Sequence, residues 1–181
     1  MGRTADYSKE RCAIAAALEV VGDPWALLIV RDAFWGVRRY EDWRDRLGIA
    51  RNVLAARLKQ LVEHGVFEKR KYNDRPPRFE YRLTSRGRDL YPVLMTLTAW
   101  GDKHAYGDDR PMRLVHAGCG ADFRPKMVCS DCGEPAPPQD LRREPGRAVT
   151  VGEALGAQAA AGVAAMNPPP STREAPTELG S

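Results

Sequence analysis

Nowhere do about 18 apolar residues run together in this 181-residue chain, so no segment is expected to span a membrane. Its first residues, Met1 to Tyr7, lead into charge rather than an apolar stretch. That start lacks the form of a secretory signal and points to the cytoplasm. Histidine is scarce, with three in all. No Gly-rich phosphate loop, nucleophile elbow or paired-carboxylate motif accompanies them, which argues against an enzyme. Aromatic residues are missing from 135 to 181, where 8 of the chain's 14 prolines fall, with Ala and Gly filling Gly152 to Ala165. Such a composition cannot build a core. Residues 137–181 are therefore expected to be a flexible low-complexity tail, with at most a transient helix at Val151 to Met166.

The net charge of +4 is unevenly placed. Residues 1–110 hold 21 Lys and Arg against 16 Asp and Glu, whereas 111–181 hold 7 against 8. The basic part contains the most informative pattern. Tyr40, Trp43 and Leu47 mark one buried face of a short helix ended by Gly48. A second helix from Ala50 to about Glu63 turns Leu54, Leu58 and Leu61 inward and leaves Arg51, Asn52, Ala55, Ala56 and Lys59 outside. After His64-Gly65, Val66 to Tyr72 and Arg78 to Leu83 read as two strands around Asn73 to Pro77. Between Lys69 and Arg82 stand six basic residues, Lys69, Arg70, Lys71, Arg75, Arg78 and Arg82, against Asp74 and Glu80.

Helix, turn, helix and basic hairpin in that order predict a DNA-binding winged helix-turn-helix. Arg and Asn can each bond base edges with two hydrogen bonds, and small Ala side chains let a helix seat deeply in the major groove. The ribbon suits phosphates. On either side, Ser8 is expected to cap a helix to Val21, and Asp23-Pro24 to start another that runs to Phe34. Trp25, Phe34 and Trp35 are expected in the core. Beyond the wing, a long helix from Thr84 or Ser85 through Leu90, Val93, Leu94, Leu97 and Trp100 carries more apolar surface than one small domain needs, and with the first helix it is expected to form a dimer seam. The fold class is mainly α with a small β-hairpin wing (α+β), the winged domain occupying residues 8–105.

Residues Cys12 to about Trp100 resemble the HxlR family of bacterial transcriptional regulators, a branch of the MarR-like winged-helix proteins. The resemblance rests on Gly22 to Asp32, Arg38-Arg39-Tyr40-Glu41, Leu54 to Leu61, Pro76 to Tyr81 and Leu83-Thr84-Ser85-Arg86-Gly87. It covers roughly half the chain, and its motifs are specific as a set. It implies a homodimer that binds operator DNA, with no enzymatic activity, and a small-molecule effector or an oxidant as its signal. It also implies a redox or electrophile sensor at Cys12. A small apolar cysteine at a dimer seam explains Cys12 equally. Where the family usually has a longer polar stretch, this chain has Ile49-Ala50-Arg51-Asn52, so the resemblance carries no operator sequence. A protein-interaction module without specific DNA binding is the alternative function, and the basic wing favours DNA.

After Pro111 the pattern changes. His116-Ala117-Gly118-Cys119-Gly120 and Cys129-Ser130-Asp131-Cys132-Gly133 each place two metal-ligand side chains three positions apart, followed at once by Gly. Two such knuckles predict a zinc-ribbon-like segment over 112–136, with a closed structural Zn2+ site of His116, Cys119, Cys129 and Cys132. Redox chemistry, free thiols or another soft metal are the competing readings.

Overall fold

The computed structural model describes residues 6–146 and 149–166. Helix α1 (Ala13–Val21) starts later than expected: Cys12 holds the N-cap position without a side-chain capping bond. Ser8 is not the cap, because its N–H is turned to the Asp6 carboxylate (2.9 Å) and its carbonyl accepts the Gly152 N–H (2.9 Å). Helix α2 (Pro24–Phe34) begins as expected, with Asp23 accepting the Trp25 N–H at 3.0 Å and Pro24 in the first turn. The other oxygen of Asp23 meets Arg57 at 2.8 Å, so one carboxylate caps α2 and ties it to a later helix.

Helix α3 (Tyr40–Leu47) ends at Gly48, whose φ of 61° is the left-handed conformation that favours glycine. Helix α4 (Arg51–Glu63) follows α3 after three residues, with Ile49 buried in the turn. Leu54, Leu58 and Leu61 sink fully beneath α4 at the expected spacing. They join Ile29, Val30, Val66 and Phe67 in one core around Trp43. The Trp43 indole N–H donates to the Ile29 carbonyl at 3.1 Å, and its ring meets Phe67 and Tyr81 edge-on. Burying an indole without that partner would leave a donor stranded.

Strands β1 (Phe67–Asp74) and β2 (Pro77–Leu83) pair antiparallel from Phe67↔Leu83 to Asp74↔Pro77, with a bulge between Lys71 and Asn73. Arg39 bridges to Glu80, and the Tyr81 N–H donates to the Arg38 carbonyl (2.8 Å). The approach to α3 is thus pinned to β2 by a single bridge, outside the two-stranded ribbon. Phe67 anchors the inner end of the hairpin in the core, and the outer two-thirds stands in solvent.

The long helix expected from Thr84 or Ser85 is broken. Thr84 caps a single turn, α5 (Ser85–Arg88), by accepting the Gly87 N–H, and α6 (Tyr91–Gly101) starts afresh. Pro92 in the first turn of α6 explains the break, since proline has no N–H to continue a helix from α5. Gly87 is buried against the wing's base; a Cβ there would stand 2.2 Å from the Val66 carbonyl oxygen. Trp35 also departs from expectation: it is half-exposed, stacked beneath the Arg31 guanidinium at 4.8 Å.

The tail differs most. Val151–Met166 is a helix, α7, docked by its first turn onto the start of the chain. The N–H groups of Val151 and Gly152 donate to the carbonyls of Glu10 and Ser8, Val151 is buried, and Leu155 packs on the core. Thr150 and Glu153 form a capping box: the Thr150 N–H reaches the Glu153 carboxylate at 2.7 Å, and the Glu153 N–H reaches the Thr150 hydroxyl at 3.3 Å. That carboxylate is held below its usual pKa by the Thr150 N–H and hydroxyl. Pro168-Pro169-Pro170 lies outside the described residues.

Candidate nucleic-acid interface

The outer face of α4 is the face the leucines leave free. Arg51, Asn52, Ala55, Ala56 and Lys59 are all exposed. Arg51 forms no salt bridge among the described residues, whereas Lys59 has a loose partner in Glu63 at 3.7 Å. Arg57 belongs to the same helix yet plays another part, held on its inner flank by Asp23 and by Gln60 (3.0 Å). Gln60 in turn donates to the Glu19 carbonyl (3.1 Å), so two polar residues fix α4 against α1 and α2.

What sets the angle of α4 is polar as well as apolar. The Tyr40 hydroxyl donates to the Arg51 carbonyl at 2.6 Å, joining the first turn of α3 to the first turn of α4. Asp32, fully buried on α2, accepts hydrogen bonds from Arg31 on Oδ1 (2.8 Å), while its Oδ2, without a hydrogen bond, pairs by charge with Arg46 of α3 at 3.5 Å. A carboxylate in that position is tolerated only with cations beside it, so Asp32 and Arg46 couple the two helices. The hydrophobic spacing of α2 gave no sign of this buried charge. Its one sequence signal is an acidic residue among Ile29, Val30 and Ala33.

The wing's cations divide by strand face. Lys69 and Lys71 share the face of Phe79 and Tyr81; the Lys69 ammonium lies 4.3 Å from the Phe79 ring centroid, and Lys71 pairs with Asp74 at 2.6 Å. Arg70, on the opposite face, pairs with Glu68 at 2.6 Å. Arg82 is neutralised by Glu80 at 2.7 Å. Arg75 and Arg78, at the tip, are exposed and form no salt bridge among the described residues. An anion meeting either of them has no neighbouring carboxylate to displace first. Arg39 adds a cation that the charge count over Lys69 to Arg82 missed: its guanidinium stacks at 5.0 Å on Tyr72, beside the ribbon. Tyr81 has its phenol pKa raised, by burial first and then by Tyr40.

Behind the winged domain, the two knuckles are built alike. The His116 N–H donates to the Ala121 carbonyl and the Phe123 N–H to Leu114; thirteen residues on, Cys129 donates to Glu134 and Ala136 to Met127. Gly120 and Gly133 close the two turns at φ 72° and 74°. Within the first, His116 Nδ1 lies 3.3 Å from Cys119 Sγ. Within the second, the Cys129 thiol is held below its usual pKa by the N–H groups of Cys132 and Asp131 and by the Cys132 thiol. Among the described residues no three His, Cys, Asp or Glu side chains converge on one point, so the pairs stand separately. Cys12 is an exposed free thiol.

The HxlR-like helix-turn-helix family model matches residues 20–109. Rv3095 of Mycobacterium tuberculosis, described as an uncharacterized HTH-type transcriptional regulator, is 42% identical over 134 residues, which are 74% of this chain and 85% of the relative. A stretch of 134 residues placed anywhere in a chain of 181 includes residues 48 to 134, so that likeness runs through α4, the wing and both knuckles. YdeP of Bacillus subtilis, described in the same words, is 31% identical over 103 residues, 55% of this chain and 80% of its own. Among solved structures, PA1607, a candidate transcription factor, matches with a TM-score of 0.69 and 38% identity, covering 76% of this chain and 97% of that one. PA1374 from Pseudomonas aeruginosa, described likewise, matches at 0.56 and 37%, covering 77% and 95%. On this sequence, this fold and these relatives, the chain belongs to the HxlR-like family of helix-turn-helix transcriptional regulators, and not among enzymes.

Proposed function

We propose that this protein is a homodimeric repressor that reads an operator with the first turns of α4 and grips its backbone with the wing. The observation that carries the reading is the division of α4, whose three leucines are buried while Arg51, Asn52, Ala55 and Lys59 face solvent. Arg51 and Asn52 sit in the helix's first turn, the end a recognition helix presents to base edges. Lys69, Arg70, Lys71, Arg75 and Arg78 supply phosphate contacts, with Arg75 and Arg78 foremost.

A two-fold axis is supported by apolar side chains left outside. Ile14 and Leu18 of α1, and Val93, Leu97 and Trp100 of α6, are exposed, with Trp100 at 65%. Covering those positions with a second copy would bury them and present two recognition helices about one duplex turn apart. The signal is a small molecule or an oxidant, and Cys12 is the thiol on which an oxidant would act. The cytoplasm is the compartment this reading requires.

The test is a pair of variants measured over a salt series on cognate and random duplex. Arg51→Ala costs about 1–3 kcal/mol on the cognate site and relaxes base preference there, whereas Arg75→Ala weakens all sequences and flattens the salt slope. Equal losses of Arg51→Ala on both duplexes would refute base reading by α4. A monomer by light scattering at micromolar concentration would refute the dimer.

A further inference from the structure

The structure builds one backbone motif twice, thirteen residues apart, and gives it to different side chains. In each copy a first ligand candidate (His116, Cys129) has its N–H bonded to the residue five positions on, at 2.9 Å in both. The residues flanking the turn bridge in both, Val115 to Asp122 and Val128 to Pro135. The second candidate (Cys119, Cys132) precedes a glycine in the left-handed region. The glycine N–H returns to the carbonyl of the first candidate, at 2.8 Å for Gly120 and 2.9 Å for Gly133. Such turns aim two side chains to one side of a loop and bring N–H groups near their donor atoms.

Nothing else in the segment accounts for this repetition. Neither hairpin covers a core: Val115, Phe123, Met127 and Val128 are all exposed. All four cysteines of the chain are free thiols, and three of them lie in these turns. The exclusion of His116 from any buried network leaves its ring nitrogen beside a thiol alone, 3.3 Å from Cys119 Sγ. Zinc bonded to a thiolate at about 2.3 Å and an imidazole at about 2.0 Å in a tetrahedron holds the two donor atoms roughly 3.5 Å apart. The first knuckle is already near that separation.

We infer that His116, Cys119, Cys129 and Cys132 bind a single structural Zn2+ ion that draws the two knuckles together. The inference is independent of the DNA-binding reading. The described residues show each pair preformed and the two pairs apart; the three residues Arg124 to Lys126 between the hairpins are the length of chain over which they close. On binding, three S–H bonds are replaced by Zn–S bonds, a neutral imidazole nitrogen supplies the fourth, and three protons leave to solvent. Four protein donors fill a tetrahedral ion, so no position remains for water or substrate and the site is structural rather than catalytic. The metal supplies what the missing core does not, since a segment this small seldom holds its fold by burial alone.

The experiment uses full-length protein purified without a metal-binding tag and without added zinc. Elemental analysis is expected to give one zinc per chain, and thiol titration of the folded protein one fast-reacting cysteine, Cys12, rising to four after chelation. Replacing the ion by Co2+ is expected to produce the intense visible bands of tetrahedral cobalt and a thiolate charge-transfer band. Cys129→Ser is expected to lose the metal and become protease-sensitive after Pro111 while keeping the helical signal of the winged domain. His116→Cys, which preserves a donor, is expected to keep the metal. Should Cys129→Ser not fold, the thiol count and cobalt spectrum of the unaltered protein decide. Well under one equivalent with four reactive thiols, a Cys129–Cys132 disulfide in the protein as isolated, or half an equivalent shared between two chains would each overturn the inference.

Discussion

Trp43, Leu54, Leu58 and Ile29 of the winged domain are closed off from water, whereas Phe123, Met127 and Val128 of the twin-hairpin segment all stand open, Met127 at 70% exposure. The two regions have similar local order, with capped helices in one and glycine-closed turns in the other. They differ in what makes that order persist. Helices α2 to α4 and the base of the wing share apolar contacts, so each stabilises its neighbours. The hairpins share none with the core. Order in the second region rests on turn chemistry, one arginine–aspartate cluster and, on our inference, a metal. Burial gives a domain that folds as a unit, while local bonds alone give units that need a cross-link.

The contrast breaks most visibly in the core. Trp43→Ala is expected to destabilise the winged domain by about 3–5 kcal/mol, read from denaturant unfolding, because it removes a packed indole and leaves the Ile29 carbonyl without its side-chain donor. Phe123→Ala, also an aromatic truncation, is expected to change that same transition by no more than about 0.5 kcal/mol, since its side chain is not part of that core. Comparable losses from both would mean that the two regions unfold together.

A smaller effect is expected at α7, the element that couples the far end of the chain to the domain. Thr150→Ala removes half of the capping box and is expected to cost α7 about 1 kcal/mol, seen as faster amide exchange at Val151 and Gly152 with the exchange of α4 unchanged. Unchanged exchange at Val151 and Gly152 would show that the bonds to Glu10 and Ser8 hold α7 without its cap.

The smallest effect sharpens the account of the hairpins. Asp122 accepts Arg113 at 2.6 Å and Arg110 at 3.1 Å, and these bonds hold its carboxyl below the ordinary value of 3.8. A carboxyl lowered in the folded state stabilises that state fully above its ordinary value, and the contribution is lost as pH falls through that value towards the lowered one. Open to solvent on the Arg113 side and only partly covered elsewhere, the cluster is screened and its contribution modest. Arg113→Ala is expected to move the Asp122 titration, followed by the NMR shift of its carboxyl carbon, upward towards 3.8. No movement would assign the lowering to Arg110 alone.

Several elements were legible because one periodicity or one residue governs them. Asp23-Pro24 dictates the start of α2, Gly48 ends α3, and the leucine spacing of α4 fixes which face carries Arg51 and Asn52. Others were masked by a stronger neighbouring pattern. Pro92 breaks the helix after the wing, and an apolar repeat running through it hid that break. Trp35 reads as core by type, yet it lies at the surface, beside Gly36 with its positive φ and under the Arg31 guanidinium. In the tail, Thr150-Val151-Gly152-Glu153 is a capping box written in the sequence, overshadowed by the low-complexity run that follows it.

By itself, the sequence determined the order of elements, the inner and outer faces of α4, the excess charge of the ribbon and the spacing of His116, Cys119, Cys129 and Cys132. Each is a local property, set by side-chain period, turn residues or charge count within a few residues. Only the tertiary structure decided which charges stay available. Asp23 takes Arg57 and buried Asp32 draws Arg46, while Arg51, Arg75 and Arg78 remain without an acidic partner among the described residues. It also decided that α7 lies on the start of the chain, through carbonyls of Ser8 and Glu10 that no local pattern marks as acceptors. Ion pairing and backbone docking depend on distances between segments remote in sequence, and those distances exist only once the core has closed.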